Sequence, residues 1–264
     1  MSGYIIEAKT VQTGAIRTLT EALKCILVEM NFIFDKDGIR MVSYDQYKTM
    51  IIEMKMYCDK FENYVYNHKE SSMIIGINAD QLNKIIKTST NDDVLTFFIS
   101  DINASTLGIT LENNGKKQVT NYKLNLLDRD KENVEIKNKL TFNNHITMPS
   151  ADFQKICRDM VALGASEVEI KNIGNTMTFG CKGHFAKRST MLGENLNENT
   201  FQRDSSLEII TGTYNLQQLI LFTKCTNLCN NMEIHMKNEE YIMFRYVIAN
   251  LGDIKLFLMP PSKS

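Results

Sequence analysis

Seven basic residues recur at helical spacing: Arg17 and Lys24, Lys84 and Lys87, Lys155 and Arg158, and Lys224. Members of each pair lie three or seven positions apart, which places them on one helical face. Guanidinium and ammonium groups held that way suit contact with phosphates, which gives affinity without reading sequence. Against them stand four acids, Glu21, Asp80, Asp152 and Asp159. Asp80 and Asp152 fall in first turns, where the helix dipole favours negative charge. Acids gather elsewhere, in DRDKENVE (128–135) and GENLNENTFQRDSSLE (193–208). A chain with net charge −1 has therefore sorted its positive charge onto equivalent helices. For any one lysine a solvated face is the plain alternative; recurrence in four segments argues for a shared surface.

No catalytic or metal chemistry emerges. The histidines, His68, His145, His184 and His235, form no HExxH and no pair at ligand spacing. Cys181 and His184 make half a site at best, and a strand cysteine beside a turn histidine explains them. Cys225 and Cys229 are too far apart for CxxC redox chemistry and read as core. Walker, GxGxxG and GxSxG patterns are absent, and Asp92-Asp93 reads as a solvated turn. The expectation is a protein that is not an enzyme, with no cofactor and no metal. The six irregularly spaced cysteines predict free thiols in a reducing compartment. The N-terminus MSGYIIEAKT lacks the pattern of a signal peptide, and no apolar run approaches the roughly 18 residues that span a bilayer, so no membrane partner is expected. The 264 residues, 43% hydrophobic and 23% charged, suffice for one large domain or two ordinary ones. Plentiful Asn, Lys and Ile without Trp suggests an AT-rich genome, viral or protist.

The basic positions fall in four segments of one plan: a cap, about three helical turns, then two strands. The first opens at Thr13 (TGAIRTLTEALKCIL, then MNFIFDKDGIRMVSYD). The second opens at Asn78 (NADQLNKIIKTST, then DVLTFFISDINASTLGITLEN). The third opens at Pro149 (PSADFQKICRDMVA, then SEVEIKNIGNTMTFGCKG), and the fourth at Thr213 (TYNLQQLILFTKCT, then NMEIHMKNEEYIMFRYVI). Ile16, Leu19, Leu23, Ile26 and Leu27 keep the period of one apolar face, as do Leu82, Ile85 and Ile86, and Phe153, Ile156, Cys157 and Met160. Asn78 and Ser150 are candidate N-caps. Val168 and Ile170, then Met177 and Phe179, alternate as strands do. Asp37-Gly38, Asn114-Gly115 and Gly174-Asn175 suit turns. The predicted organisation is an N-terminal domain at 1–125, a charged linker at 126–141 and a C-terminal domain at 142–264. Residues 116–123 (KKQVTNYK) and 184–191 (HFAKRSTM) are expected edge strands. Val119 and Tyr122 would pack on one subunit, Phe185 and Met191 on the next.

At this point the chain resembles the proliferating cell nuclear antigen (PCNA) family of DNA sliding clamps. TEALKCIL (20–27) resembles the family's first helix, QLNKIIKTSTNDDVLTF (81–97) its second, and MPSADFQKICRDMVALGASEVEI (148–170) the opening of its second domain. LFTKCTNL (221–228) resembles the fourth helix and YVIANLGDIKLFLMPP (246–261) the last strand and tail; Asp45 matches a Ser-x-Asp turn. The resemblance implies an α+β DNA clamp fold, with two similar clamp domains per subunit, each with two helices packed on antiparallel sheet, and a homotrimeric ring. It implies double-stranded DNA, a clamp loader, DNA polymerase and other client proteins with clamp-binding motifs as partners, in the nucleus or a viral replication compartment. The seven basic residues match the family's DNA-facing positions, and Gln217 stands where a further base is usual. Client docking maps onto Tyr44, Val134, Ile136, Tyr241, Phe257, Met259 and Pro260; Tyr44 and Tyr241 differ from the usual residues. The strong overall acidity and acidic tail of cellular clamps are missing. Two other readings stand beside the ring: a monomeric clamp-fold viral processivity or transcription factor, and one subunit of a heterotrimeric checkpoint clamp.

Overall fold

In the computed structural model, which describes residues 3–45, 48–102, 104–128, 145–174, 176–193, 209–238 and 240–259, one motif recurs four times. A strand leads directly into a helix and the helix into an antiparallel hairpin. The first copy is β1 (Ile6–Thr10), α1 (Thr13–Ile26), β2 (Glu29–Asp35) and β3 (Gly38–Tyr44), followed by β4 (Met50–Tyr57) and β5 (Asn63–Tyr66). The second is β6 (Ser72–Asn78), α2 (Ala79–Ile86), β7 (Val94–Ile99) and β8 (Thr106–Asn113), followed by β9 (Gln118–Asn125). The third is β10 (His145–Pro149), α3 (Ser150–Ala162), β11 (Glu167–Ile173) and β12 (Thr176–Lys182), followed by β13 (Lys187–Leu192). The fourth is β14 (Ile209–Asn215), α4 (Leu216–Phe222), β15 (Asn231–His235) and β16 (Ile242–Ile248), followed by β17 (Gly252–Leu258). The leading strand of each copy is the part that helix and hairpin signals did not show.

These elements build two compact units. The first gathers the described residues within Met1–Lys137, with Asn227–Cys229 and Tyr246–Lys255. The second gathers those within Asn138–Thr226, with Asn230–Arg245 and the residues from Leu256 onward. The units are thus discontinuous in sequence, because the end of the chain returns to the first: Tyr57 N–H donates to the Leu251 carbonyl at 2.9 Å. A Cβ at Gly252 would lie 1.9 Å from the Lys55 carbonyl oxygen, a close approach only glycine allows. Leu126 and Leu127, expected to begin the linker, are tied down instead, donating to the Ser105 and Gly76 carbonyls at 2.8 and 2.9 Å. The rest of the predicted linker, from Arg129 to Lys139 and on to Leu140 and Thr141, lies outside the described residues.

Within the first unit one sheet runs β5-β1-β7-β8-β9, and a second run of strands is β4-β3-β2-β6. In β2 the alternation buries Met30, Phe32 and Phe34. Helix α1 buries Ile16, Leu19 and Leu23 and α2 buries Leu82 and Ile86, the stripes that the apolar period predicts. The turn before β3 places Gly38 at φ +138°, where a Cβ would lie 2.0 Å from the Met56 carbonyl oxygen. In the Asn114-Gly115 turn it is Lys117, not the glycine, that adopts positive φ.

Within the second unit β13-β12-β11-β14 form one sheet, and β10-β15-β16 lie side by side. Helix α3 buries Phe153, Ile156, Cys157 and Met160, all four predicted. Phe153 meets Phe244 and Phe179 with centroids 5.0 and 6.2 Å apart, and Phe222 meets Phe244 at 5.3 Å. Burying such rings stabilises by roughly 1.5–3 kcal/mol each.

Three local expectations are corrected. Ser150 is not the cap of α3: Pro149 holds that position and Ser150 lies buried in the first turn. The fourth helix starts at Leu216 rather than near Thr213, because β14 stays paired with β11 as far as Asn215 opposite Glu167. Its cap is Asn215, whose side chain accepts from the Gln217 and Gln218 N–H groups. Helix α4 then tightens into a 3-10 segment, Thr223–Leu228, where the Thr223 and Thr226 hydroxyls bond back to carbonyls three residues earlier at 2.7 Å. Asp93, read as half of a solvated turn, is buried. It accepts from Asn113 Nδ2 at 2.6 Å and Thr90 N–H at 2.8 Å.

Candidate nucleic-acid interface

The buried stripes of α1 and α2 dictate which residues are left facing solvent. On the first unit these include Lys84 and Lys87, both exposed, and Lys24, partly exposed. Asp80, one turn before Lys84, accepts from its ammonium at 2.7 Å. That hydrogen bond first, and the charges of Lys84 and Lys24 with it, hold the Asp80 carboxyl below the usual range against some desolvation. Asp80 is thus paired with Lys84 on its own helix, and Lys24 of α1 adds to the field at its carboxyl. Arg17 belongs to the same helix but is engaged: its guanidinium donates to the Ser89 carbonyl at 2.7 Å and to Asn91 Oδ1 at 2.6 Å. It fixes the chain leaving α2 as well as carrying charge.

On the second unit Lys155 and Arg158 are exposed on α3, and Lys224 is exposed in the 3-10 segment after α4. Gln217 is exposed at the start of α4. Asp159 is tied away toward the sheet, accepting from Arg188 of β13 at 2.8 Å. The Arg188 hydrogen bond and charge, with Lys155 and Arg158 nearby, hold its carboxyl low. Nothing in the sequence pattern signalled that long-range pair, whereas Asp80–Lys84 is legible from its spacing of four.

Both expected edge strands exist, starting two and three residues later than expected. β9 ends one sheet of the first unit, and β13 ends a sheet of the second. Val119 on β9 is 60% exposed, Met191 on β13 is 44% exposed, and Phe185 in the turn before β13 is 78% exposed. Tyr122 differs from Val119: three residues on, it points to the opposite face of β9, and its hydroxyl lies 3.0 Å from Thr88 Oγ1 behind α2.

Among the residues matched to client docking, Tyr44 is 38% exposed at the end of β3. Beside it Asp45 is buried and accepts from the Thr49 and Met50 N–H groups at 2.7 and 2.8 Å, which forms the turn expected there. In the second unit Tyr241 stands edge-on to Phe257, centroids 6.4 Å apart. Phe257 is buried and Met259 exposed. Val134, Ile136 and Pro260 lie outside the described residues.

Among the described residues no group of three or more His, Cys, Asp or Glu side chains is placed to hold a metal. Cys157 is buried, and desolvation pushes its thiol up to about 12, which makes it inert. No helix among the described residues is long and apolar enough to cross a membrane.

Two helices per unit on antiparallel sheets, with a strand–helix–hairpin motif repeated four times, define the α+β fold of the DNA clamps. Comparison with known families agrees along almost the whole chain. Residues 5–133 match the family model described as proliferating cell nuclear antigen, N-terminal domain, and residues 136–261 match its C-terminal domain. The chain belongs to the proliferating cell nuclear antigen family, and is a sliding clamp of that kind. Among solved structures, the crystal structure of Proliferating Cellular Nuclear Antigen from Entamoeba histolytica is similar, with TM-score 0.83 and 23% identity over 97% of this chain and 99% of that one.

Proposed function

We propose that three copies of this chain close into a ring that encircles duplex DNA, tethers a DNA polymerase and so raises its processivity. The observation that carries the reading is the pairing of two features: exposed basic residues on the helices of both units, and sheet-ending strands β9 and β13 bearing exposed Val119, Phe185 and Met191. Weak phosphate contacts give non-specific affinity, and encirclement needs little more. A tethered polymerase then meets its template at high effective concentration. Pairing β9 of one copy with β13 of the next is a heterologous contact, which makes a closed ring when its rotation is near 120°.

Client proteins dock in this reading beside the connecting segment. Tyr44, Val134 and Ile136 contribute with Tyr241, Phe257, Met259 and Pro260. The ring, a clamp loader and the replication compartment belong to the same proposal. The test is retention on circular against linear duplex, together with polymerase product length. A ring slides off linear DNA and stays on circles. Equal retention on both, with one-subunit mass, would favour a monomeric DNA-binding clamp fold; activity only with two related subunits would favour a heterotrimeric clamp.

A further inference from the structure

We propose that Asp80 limits how tightly this clamp holds DNA, by competing with phosphates for Lys84. The inference rests on the reading that the helix faces meet DNA. Asp80 Oδ2 lies 2.7 Å from Lys84 Nζ, and the two side chains are 57% and 72% exposed, so the pair is within reach of any polyanion on that face. Lys24, on the neighbouring helix, contributes to the same field at Asp80.

Asp80 is not needed to cap its helix. Asn78 already does so, its side chain accepting from the Gln81 N–H at 3.0 Å. The acid is therefore a charge placed among DNA-facing lysines without a capping duty of its own. The second unit is arranged differently. Asp159 also lies beside two basic residues, Lys155 and Arg158, but its carboxylate is taken by Arg188 of β13 at 2.8 Å. Asp159 is thus no such competitor; the first-turn acid of α3 is Asp152, exposed three residues before Lys155. An exposed pair such as Asp80 with Lys84 is weak and exchangeable, so phosphates displace it as the clamp moves. The consequence is a grip loose enough to slide.

The test is equilibrium binding of a short fluorescent duplex by the intact protein over a range of salt concentrations. Asp80→Asn is expected to bind about twofold to fivefold more tightly, with a steeper salt dependence, and to stay folded with only a small fall in Tm from the lost first-turn charge. In a Lys24→Gln/Lys84→Gln background the same change should give no gain, because the competition is gone. Unchanged binding by Asp80→Asn while the lysine variant weakens binding would overturn this proposal alone. A gain of equal size in both backgrounds would also overturn it, since any lost negative charge would then suffice. If the lysine variant binds as the wild type does, the helix-face reading itself fails and the proposal with it.

Discussion

Arg17 donates to the carbonyl of Ser89, 72 residues away in sequence, at 2.7 Å. A second guanidinium nitrogen reaches Asn91 Oδ1 at 2.6 Å. The residue therefore joins α1 to the segment that leaves α2, and a lysine, with one nitrogen in place of the planar two-nitrogen fork, would hold both acceptors less well. Arg17→Lys is expected to lower stability by about 1–2 kcal/mol as these bonds weaken. Lys87→Gln, on an exposed position of the same unit, should leave stability within about 0.5 kcal/mol of wild type. Urea denaturation of the two variants distinguishes a structural arginine from a purely electrostatic one.

Asp93 supports a second stability prediction. Burial alone would push its carboxyl up, but the bonds from Thr90 and Asn113 prevail and hold it below the usual range. The group contributes stability above its unfolded value, and that contribution is lost as pH falls through the lower folded one. Asp93→Ala also strands the Asn113 amide. The expected cost is about 1–3 kcal/mol near neutral pH, read by chemical denaturation.

How much of this was legible follows from range. Apolar period and strand alternation are local, so α1, α2 and α3 and their hairpins could be read from residues such as Ile16, Leu82 and Phe153. The basic faces follow directly from those stripes. What stayed hidden depends on partners far along the chain. Arg188 finds Asp159, Arg17 finds Ser89, and Asp93 is buried only because Asn113 and Thr90 satisfy it. The late start of α4 is of the same kind, since β14 remains strand only while β11 pairs with it. Val119 and Tyr122, both expected to pack against a neighbouring subunit, divide between the two faces of β9, as an odd spacing in a strand requires.

A pH effect is expected from the histidines of the second unit. His145 and His235 face each other across β10 and β15, rings stacked with centroids 5.0 Å apart. Glu233 Oε2 lies 3.0 Å from His235 Nε2, and Arg245 of β16 donates to the other Glu233 oxygen at 2.8 Å. Burial first, then the charges of His145 and Arg245, outweigh Glu233 and hold His235 below the usual imidazole range. An unfolded chain therefore takes up this proton more readily than the folded one. The stability is full above the unfolded value of about 6.5 and is lost as pH falls through it. Thermal melts from pH 8 to 5.5 should show a falling Tm, with a shallower fall in His235→Gln; parallel slopes would exclude the pair as the cause.

Assembly gives the decisive prediction. β9 and β13 each end a sheet, and the hydrogen-bonding edge of such a strand invites another chain unless it is blunted. Both carry basic residues, Lys123 on one and Lys187 and Arg188 on the other, which is also how a monomer keeps an edge apart. Apolar exposure weighs the other way. Val119, Phe185 and Met191 stand 60%, 78% and 44% exposed, a cost without purpose on an isolated subunit and an anchor set between copies. Light scattering is expected to give three times the subunit mass of 30.3 kDa at micromolar concentration. Val119→Arg puts a charge on the exposed edge strand and removes an apolar contact, and should weaken the association by more than about 1 kcal/mol, so that subunits appear on dilution while the fold persists by circular dichroism. A wild-type mass of one subunit throughout would leave the basic helices to act on DNA without a ring, and processivity would then have to come from affinity rather than encirclement.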